Sequence, residues 1–373
     1  MERTSVVAFV QRASDAAMGT EIMTMGKTFN RSGGMNRRDF LRTSAMMATG
    51  SAMAGAFVSF GPARAAGTKA MLVQYDWLLG NGQIGDIVAK AKGYFAEEGL
   101  DVQLGGGGPN AQTLPPLLTG QATAAQMTSS QTVLAHGAGR PVMLFACGYQ
   151  YTPYAYFSKS SSPIRTPQDL VGKTVALNPN GRLTLQIIMS LHNIEPDSVK
   201  TITQGADMTA LLVGQADAVT GFLTNTTALG VLGEDRVVMT AESAGALGYA
   251  NAYLTTPEVF TSEQESLTKF IRACGKGWGW AFENRKEAVD LMCDALPNLD
   301  RAVEHATVDT VMSIAFGPDT KANGWGWFDN KKLQKQIDTF DTAKAFEVRK
   351  PVLSEVSSHA ILDATADARP RLG

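Results

Sequence analysis

Residues 70–104 read AMLVQYDWLLGNGQIGDIVAKAKGYFAEEGLDVQL, and their pattern indicates the first structural unit of the chain. Residues 70–75 are rich in strand-forming side chains, and apolar residues then recur at helical spacing over residues 85–98. Gly99 can end a helix in the left-handed conformation, and residues 100–104 have the pattern of a second strand. A strand, a helix and a strand in this order predict two parallel strands joined by a crossover helix.

The same alternation continues along the chain. Further strands are predicted at 122–127, 173–177, 199–203 and 216–221, with helices at 113–119, 131–136, 183–192 and 208–214. Extended segments near 152–160 and 248–256 interrupt the alternation, and the last third of the chain is helical. We interpret this as an α/β protein of two lobes, each a mainly parallel sheet flanked by helices, joined by a two-segment hinge. Lobe 1 would comprise residues 68–155 and 255–373, and lobe 2 residues 156–254; one continuous doubly wound domain is the alternative.

The N-terminal part of the chain has the three parts of a twin-arginine export signal. Residues 36–42 read NRRDFLR, an uncharged run follows over residues 43–63, and Ala63-Arg64-Ala65 is a small-residue cleavage site. We predict a signal peptide at 35–65, preceded at 1–34 by a disordered leader or an upstream extension. A membrane-anchoring helix is the alternative, although the run is rich in Ala, Gly, Ser and Thr. The signal predicts a periplasmic protein.

Composition narrows the class of partner. Residues 66–373 carry 25 Lys and Arg against 31 Asp and Glu, with no basic cluster along one face, which argues against a nucleic-acid partner. The three cysteines, Cys147, Cys274 and Cys293, are too few and too scattered for a metal site or a disulfide framework. Cys274 and Cys293 could form one disulfide or remain free thiols. No metal and no cofactor is predicted.

Several motifs resemble those of exported solute-binding proteins of ABC importers. Residues 93–102 read GYFAEEGLDV, similar to the GYF-x-x-EGL-x-V signature of the group that binds nitrate, sulfonate, taurine and thiamine-type pyrimidines. Residues 162–175, SPIRTPQDLVGKTV, resemble the segment that opens the second lobe of these proteins, and residues 214–218, GQADA, their G-x-A-D-A turn. The WFD motif at 327–329, followed by an amphipathic helix, also fits. The motifs occur in the family's order over nearly the whole exported part.

The resemblance implies a type II periplasmic binding protein fold that closes on a small ligand. It implies permease and ATPase subunits as partners, and we expect a monomer that is not an enzyme. A thiamine-precursor-like pyrimidine is favoured as ligand, with sulfonate, taurine or nitrate as the alternatives. A pyrimidine-synthase-like enzyme and a sensor module are further alternatives. One departure is Thr123, where many relatives carry Asp in a Gly-x-x-Asp turn.

The candidate ligand-binding residues follow the predicted strands, because ligands of parallel α/β sheets bind outside the carboxyl ends of the strands. Trp77 stands where pyrimidine-binding members carry Trp, and we expect it to stack on a planar ring, with Asn81 or Gln83 hydrogen-bonding the ring edge. Gln83 stands where those members carry His, so it presents a different donor and acceptor pattern. The other candidates are polar or aromatic residues at strand ends, helix starts or crossing segments: Ser129, Ser130, Tyr154, Asn180, Arg182, Thr224 and Asn251.

Overall fold

A computed structural model describes residues 68–108, 112–177, 181–203 and 207–373. The predicted leader and signal peptide, and Asn180, lie outside these residues. Within them, no helix combines the length and the apolar character needed to cross a membrane.

The first of two sheets contains the strand pair predicted from residues 70–104. Its strands are β1 (Lys69–Tyr75), β2 (Leu100–Gly105), β3 (Ala124–Met127), β4 (Met143–Cys147) and β10 (Ala252–Thr255), in the order β2-β1-β3-β10-β4. β1 is parallel to β2 and β3, whereas β10 is antiparallel to both β3 and β4. Four strands therefore share one direction and β10 opposes them.

The second sheet repeats this arrangement. Its strands are β5 (Tyr154–Lys159), β6 (Thr174–Leu177), β7 (Lys200–Thr203), β8 (Ala218–Phe222) and β9 (Arg236–Thr240), in the order β7-β6-β8-β5-β9. β6 is parallel to β7 and β8, and β5 is antiparallel to β8 and β9. In each sheet the reversed strand is the one that enters from the other sheet, so the chain crosses twice, through residues 148–153 and 241–251. The predicted two-lobed α/β fold is confirmed, and one continuous sheet is excluded; the exact lobe boundaries stay a prediction.

Helices cover the faces of both sheets. They are α1 (Ile84–Ala91), α2 (Tyr94–Glu97), α3 (Leu114–Leu118), α4 (Ser129–Gly137), α5 (Gly181–Leu191), α6 (Thr209–Leu212), α7 (Thr226–Gly230), α8 (Pro257–Ser262), α9 (Gln264–Glu283), α10 (Arg285–Ala295), α11 (Arg301–Ala315), α12 (Pro318–Asn323), α13 (Asn330–Thr342), α14 (Leu353–Val356) and α15 (Ala360–Asp363). Short 3-10 turns occur at Asn81–Gln83, Pro167–Leu170, Pro196–Ser198 and Gly233–Asp235.

Two local expectations differ from the structure. The helix predicted over residues 85–98 is two helices, α1 and α2, because Gly93 adopts φ 78° between them. The extended segment predicted near 152–160 contains β5 of the second sheet, and a strand of the first sheet that was not predicted, β4, precedes it, because the chain changes lobe between them. β9 was not predicted; the pattern of exposed and buried residues in RVVMT alternates, as in a strand covered on one face.

The core of the first lobe depends on close packing between α1 and α9. Gly85 lies against the indole of Trp278, and Gly277 lies against the backbone carbonyl of Gly85, so neither position has room for a β-carbon. Trp278 in turn stacks on Trp325, with ring centroids 5.6 Å apart, and both rings are fully buried. The three cysteines are also buried, and their thiols are free.

A buried carboxylate joins this helix layer to the sheet. Asp86 of α1 accepts hydrogen bonds from the Tyr75 hydroxyl at 2.7 Å, from the Tyr253 hydroxyl at 2.8 Å and from the Trp278 indole N–H at 3.1 Å. Burial raises the pKa of Asp86, and these donors oppose that rise by stabilising the charged form. The carboxylate therefore connects β1, β10, α1 and α9.

Candidate functional site

The carboxyl ends of the parallel strands and both crossing segments meet at one edge of each sheet. In the first lobe, β1 ends at Tyr75 and is followed by Asp76 and Trp77. In the second lobe, Tyr154 at the start of β5 pairs with Phe222 at the end of β8. Side chains that follow or end these strands therefore face the cleft between the lobes.

Two exposed aromatic rings, one from each lobe, approach each other across this cleft. Trp77 is 48% exposed and Phe222 37% exposed, and their ring centroids lie 6.4 Å apart at an interplanar angle of 45°. Tyr154 packs edge-on against Phe222 at 5.5 Å. Large apolar side chains left this exposed at a cleft can bind a ligand.

A cluster of amide side chains surrounds the turn at 81–83 in the first lobe. Gln83 donates to the Oε1 atom of Gln126 at 3.1 Å, and Asn81 donates to the Glu304 backbone carbonyl at 3.0 Å and to its carboxylate at 2.5 Å. Asn251, at φ 51°, donates to the Gly82 carbonyl at 2.5 Å. These bonds fix the turn at 81–83 against α11 and against the second crossing segment.

Several polar atoms of this region are buried and have no hydrogen-bond partner among the described residues. They are Asn81 Oδ1, Gln83 Oε1, Gln126 Nε2, the Tyr149 hydroxyl and the Tyr154 hydroxyl. Burial raises the pKa of Tyr154 to about 12 and that of Tyr149 further, so both phenols are neutral at pH 7 and can donate or accept. Such atoms cost about 1–3 kcal/mol each unless a ligand or water satisfies them.

Asp76, next to Trp77, is the most perturbed carboxyl group near the cleft. It is half-buried, and desolvation raises its pKa to about 7. Among the residues that the structure describes, no other residue donates a hydrogen bond to its carboxylate, and its backbone N–H donates to the Gln126 carbonyl at 3.0 Å. The group can therefore change its charge near neutral pH.

The remaining predicted residues have the following surroundings. The hydroxyls of Ser129 and Ser130 both hydrogen-bond the Gln336 side chain of α13, at 2.8 and 2.9 Å, which fixes α4 to α13. Arg182 donates to the Thr203 hydroxyl at 3.3 Å on an exposed surface, and Thr224 is half-buried in the loop after β8. The structure thus places Asn251 against the turn that carries Asn81 and Gln83, and it places Trp77 and Tyr154 each next to the ring of Phe222. Ligand contact by every residue of the predicted set stays a prediction.

Sequence reasoning did not single out Gln126, Phe222 or Asp76 as site residues. Gln126 lies within the short strand AAQM, where one polar residue at a fully buried position was the available signal. Phe222 and Asp76 fall in segments that the sequence placed at strand ends, but nothing local distinguished them from their neighbours. Within the described part of the chain, no group of three His, Cys, Asp or Glu residues could hold a metal ion.

Two α/β lobes joined by two crossing segments define the class of periplasmic binding protein folds. The NMT1/THI5-like family model matches residues 81–288, more than half of the chain, and the protein belongs to this family. The resemblance found from the motifs is thereby confirmed.

Of the relatives described below, one is named as an enzyme and two as binding proteins. The chain is 26% identical over 219 residues to a 4-amino-5-hydroxymethyl-2-methylpyrimidine phosphate synthase of Legionella pneumophila, covering 57% of this chain and 69% of the relative. It is 28% identical over 288 residues to a formylaminopyrimidine-binding protein of Halalkalibacterium halodurans, covering 74% and 85%. The structure of the alkanesulfonate-binding protein SsuA from Xanthomonas axonopodis pv. citri, bound to MOPS, aligns with a TM-score of 0.57 at 15% identity, over 79% and 99% of the two chains. At this identity the last likeness establishes the fold alone.

Proposed function

We propose that the protein is the extracytoplasmic solute-binding component of an ABC importer, and that it captures a planar, polar heterocycle of the pyrimidine type. The observation that carries the proposal is the pair of exposed rings, Trp77 and Phe222, on opposite sides of the cleft. At 6.4 Å and 45° the two rings leave no room for a flat ligand in this conformation, and a small separation of the lobes would let them stack on its two faces. The relatives named for pyrimidine binding and pyrimidine phosphate synthesis support the same ligand class.

Closure of the two lobes is the proposed mechanism of capture. The ligand first stacks on Trp77, and closure then adds Phe222 from the second lobe. A ligand that contacts both lobes favours the closed form by the free energy of its added contacts. The closed protein would present a surface assembled from both lobes to the permease subunits of the importer.

We favour a binding protein over a pyrimidine-synthase-like enzyme at this site. Gln83 carries an amide, which cannot act as a general acid or base near neutral pH, at the position where the pyrimidine group carries His. The aromatic pair and the buried amides supply stacking and hydrogen bonds. A sulfonate group has no flat face, so it cannot stack on Trp77 and Phe222 as a planar heterocycle can.

A thermal-shift screen followed by calorimetry tests the proposal. The panel contains aminopyrimidines, alkanesulfonates, taurine and nitrate, and a true ligand raises the melting temperature once its concentration exceeds the dissociation constant. We expect a pyrimidine to bind, and Trp77→Ala or Phe222→Ala to weaken it by about tenfold or more through lost stacking. Trp280→Ala is the matched control, since Trp280 lies on α9 beside Lys92, away from the cleft. A sulfonate or nitrate ligand, unaffected affinity in both cleft variants, or conversion of the bound pyrimidine would contradict the proposal.

A further inference from the structure

Two hydrogen-bonding atoms of the Gln83–Gln126 pair have no partner within the described part of the chain. One hydrogen bond of 3.1 Å joins the Gln83 N–H to Gln126 Oε1. This bond leaves Gln83 Oε1 and Gln126 Nε2 buried and unpartnered, on side chains that belong to residues only 3% and 0% exposed. If the nitrogen and oxygen of both side-chain amides are interchanged, Gln126 Nε2 donates to Gln83 Oε1 instead. Gln83 Nε2 and Gln126 Oε1 are then the unpartnered atoms, which are again one donor and one acceptor.

The two tyrosines in register with Gln126 already have another hydrogen-bond partner. Gln126 of β3 lies in register with Tyr75 of β1 and Tyr253 of β10. The hydroxyls of both tyrosines donate to Asp86. The two phenols nearest along the sheet are therefore engaged, and the amide pair keeps one unmet donor and one unmet acceptor.

The pair also lies where movement of the lobes can change access to it. Gly82, directly before Gln83, accepts a hydrogen bond from Asn251 in the second crossing segment. The Tyr149 hydroxyl, in the first crossing segment, lies 3.8 Å from the position that a β-carbon on Gly82 would take. Both segments that connect the lobes thus contact the turn that carries Gln83.

We propose that Gln83 and Gln126 together determine ligand specificity by binding a ring edge that presents a hydrogen-bond donor beside an acceptor. An amino group next to a ring nitrogen, as in a 4-aminopyrimidine, has this arrangement, and so does a lactam. Sulfonate and nitrate offer acceptors only and would leave the amide oxygen unpaired. The inference rests on the proposed function, because it assumes that a planar heterocycle enters the cleft.

A pair of probes separates this role from a structural one. The probes are 4-amino-2-methylpyrimidine and its 4-dimethylamino analogue, which keeps the ring nitrogen and loses the N–H donors. We expect the wild-type protein to bind the amino probe at least about tenfold more tightly, since a site built for hydrogen bonds discriminates against a ligand that lacks them. In Gln83→Met and Gln126→Met, which retain side-chain length, this ratio should fall towards one.

The remaining outcomes are decisive. Gln334→Met, on α13, is the control and should keep the wild-type ratio, because its amide bonds the Asp338 carboxylate on the surface. Equal binding of the two probes by the wild-type protein, or an unchanged ratio in both amide variants, overturns this inference and leaves the stacking site intact. Failure of the wild-type protein to bind either probe overturns the proposed function together with the inference. The wild-type ratio needs no variant, so a variant that does not fold cannot hide the answer.

Discussion

The ammonium group of Lys332 lies 2.6 Å from a carboxylate oxygen of Glu242. The same group donates to the Gln150 carbonyl at 3.0 Å and sits 4.6 Å from the centre of the Tyr249 ring. Gln150 belongs to the first crossing segment, and Glu242 and Tyr249 to the second. One cation on α13 therefore holds both connections between the lobes.

Replacing this cation should destabilise the protein. Lys332→Met leaves Glu242 half-buried without its ion-pair partner, and the second oxygen of that carboxylate already lacks one. We expect the free energy of unfolding to fall by about 1–3 kcal/mol. Urea denaturation measures the change, and Lys335→Met on the exposed face of α13 is the control. The double variant with Glu242→Gln should recover part of the loss; a loss equal to that of the control would contradict the assignment.

A hydrogen bond between two threonines joins the lobes in this conformation. Thr226 of α7 and Thr307 of α11 have their hydroxyl oxygens 2.6 Å apart. Thr226→Val removes this bond, while Thr307 keeps its bond to the Val303 carbonyl at 2.8 Å. We expect ligand affinity to fall about two- to tenfold, because one net hydrogen bond of the closed form is lost.

Calorimetry measures that affinity, and small-angle scattering of the unliganded protein should show a larger radius of gyration. Thr227→Val, at the exposed residue next to Thr226, is the control for both measurements. Equal affinities in the two variants would mean that this bond does not contribute to closure.

The contact between α1 and α9 should not tolerate a methyl group. Gly85→Ala places a β-carbon within the indole ring of Trp278, which is fully buried and has no space to move. Overpacking of this kind costs about 1–3 kcal/mol or more. Thermal unfolding should show a clear decrease in melting temperature. Gly230→Ala, where a β-carbon meets nothing within 4 Å, should leave it nearly unchanged; similar melting temperatures for both variants would refute the close packing.

Asp76 should make stability depend on pH. Its pKa is raised to about 7 in the folded protein, so the folded state binds a proton that the unfolded state releases nearer pH 4. The free energy of unfolding of the wild-type protein should therefore decrease, relative to Asp76→Asn, as pH rises from about 4 to about 7.

We expect a relative loss of about 1–3 kcal/mol after allowance for solvent screening at this half-buried group. Chemical denaturation at pH 4 and pH 8 measures it, with the exposed Asp197→Asn as the matched substitution. A difference between wild type and Asp76→Asn that is the same at both pH values would exclude the raised pKa.

The export signal can be tested without reference to the ligand. Replacing both Arg37 and Arg38 by Lys should prevent twin-arginine export and leave the full-length chain in the cytoplasm. Cell fractionation and immunoblotting measure the distribution, and Arg42→Lys is the control. Periplasmic protein in the double variant would contradict the predicted pathway.

Local patterns predicted the two lobes because periodicity reflects which face of each element is buried. They could not predict the partners of individual polar side chains. Asn81 bonds Glu304, and Ser129 bonds Gln336, over separations of 223 and 207 residues. Such pairs depend on how distant helices pack, and no short window of sequence contains both members.

The same limit applies to the cleft itself. Trp77 could be singled out because it directly follows a strand and because of its place in the family motif. Phe222 could not, since its importance comes from facing Trp77 across two lobes. Within its own strand, Gln126 cannot be distinguished from a core residue. Its proposed part in ligand recognition depends on the hydrogen bond that it accepts from the Gln83 amide.

The hydrogen bonds from Tyr253 to Asp86 have a consequence for how the lobes can rotate. They fasten β10 to the rigid body of the first lobe almost as soon as the chain returns there. Any rotation between the lobes must therefore be taken up before Ala252 in the second crossing segment and within residues 148–153 in the first. With β10 fastened in this way, the proposed closure would move the second lobe as a unit against a strand that stays with the first.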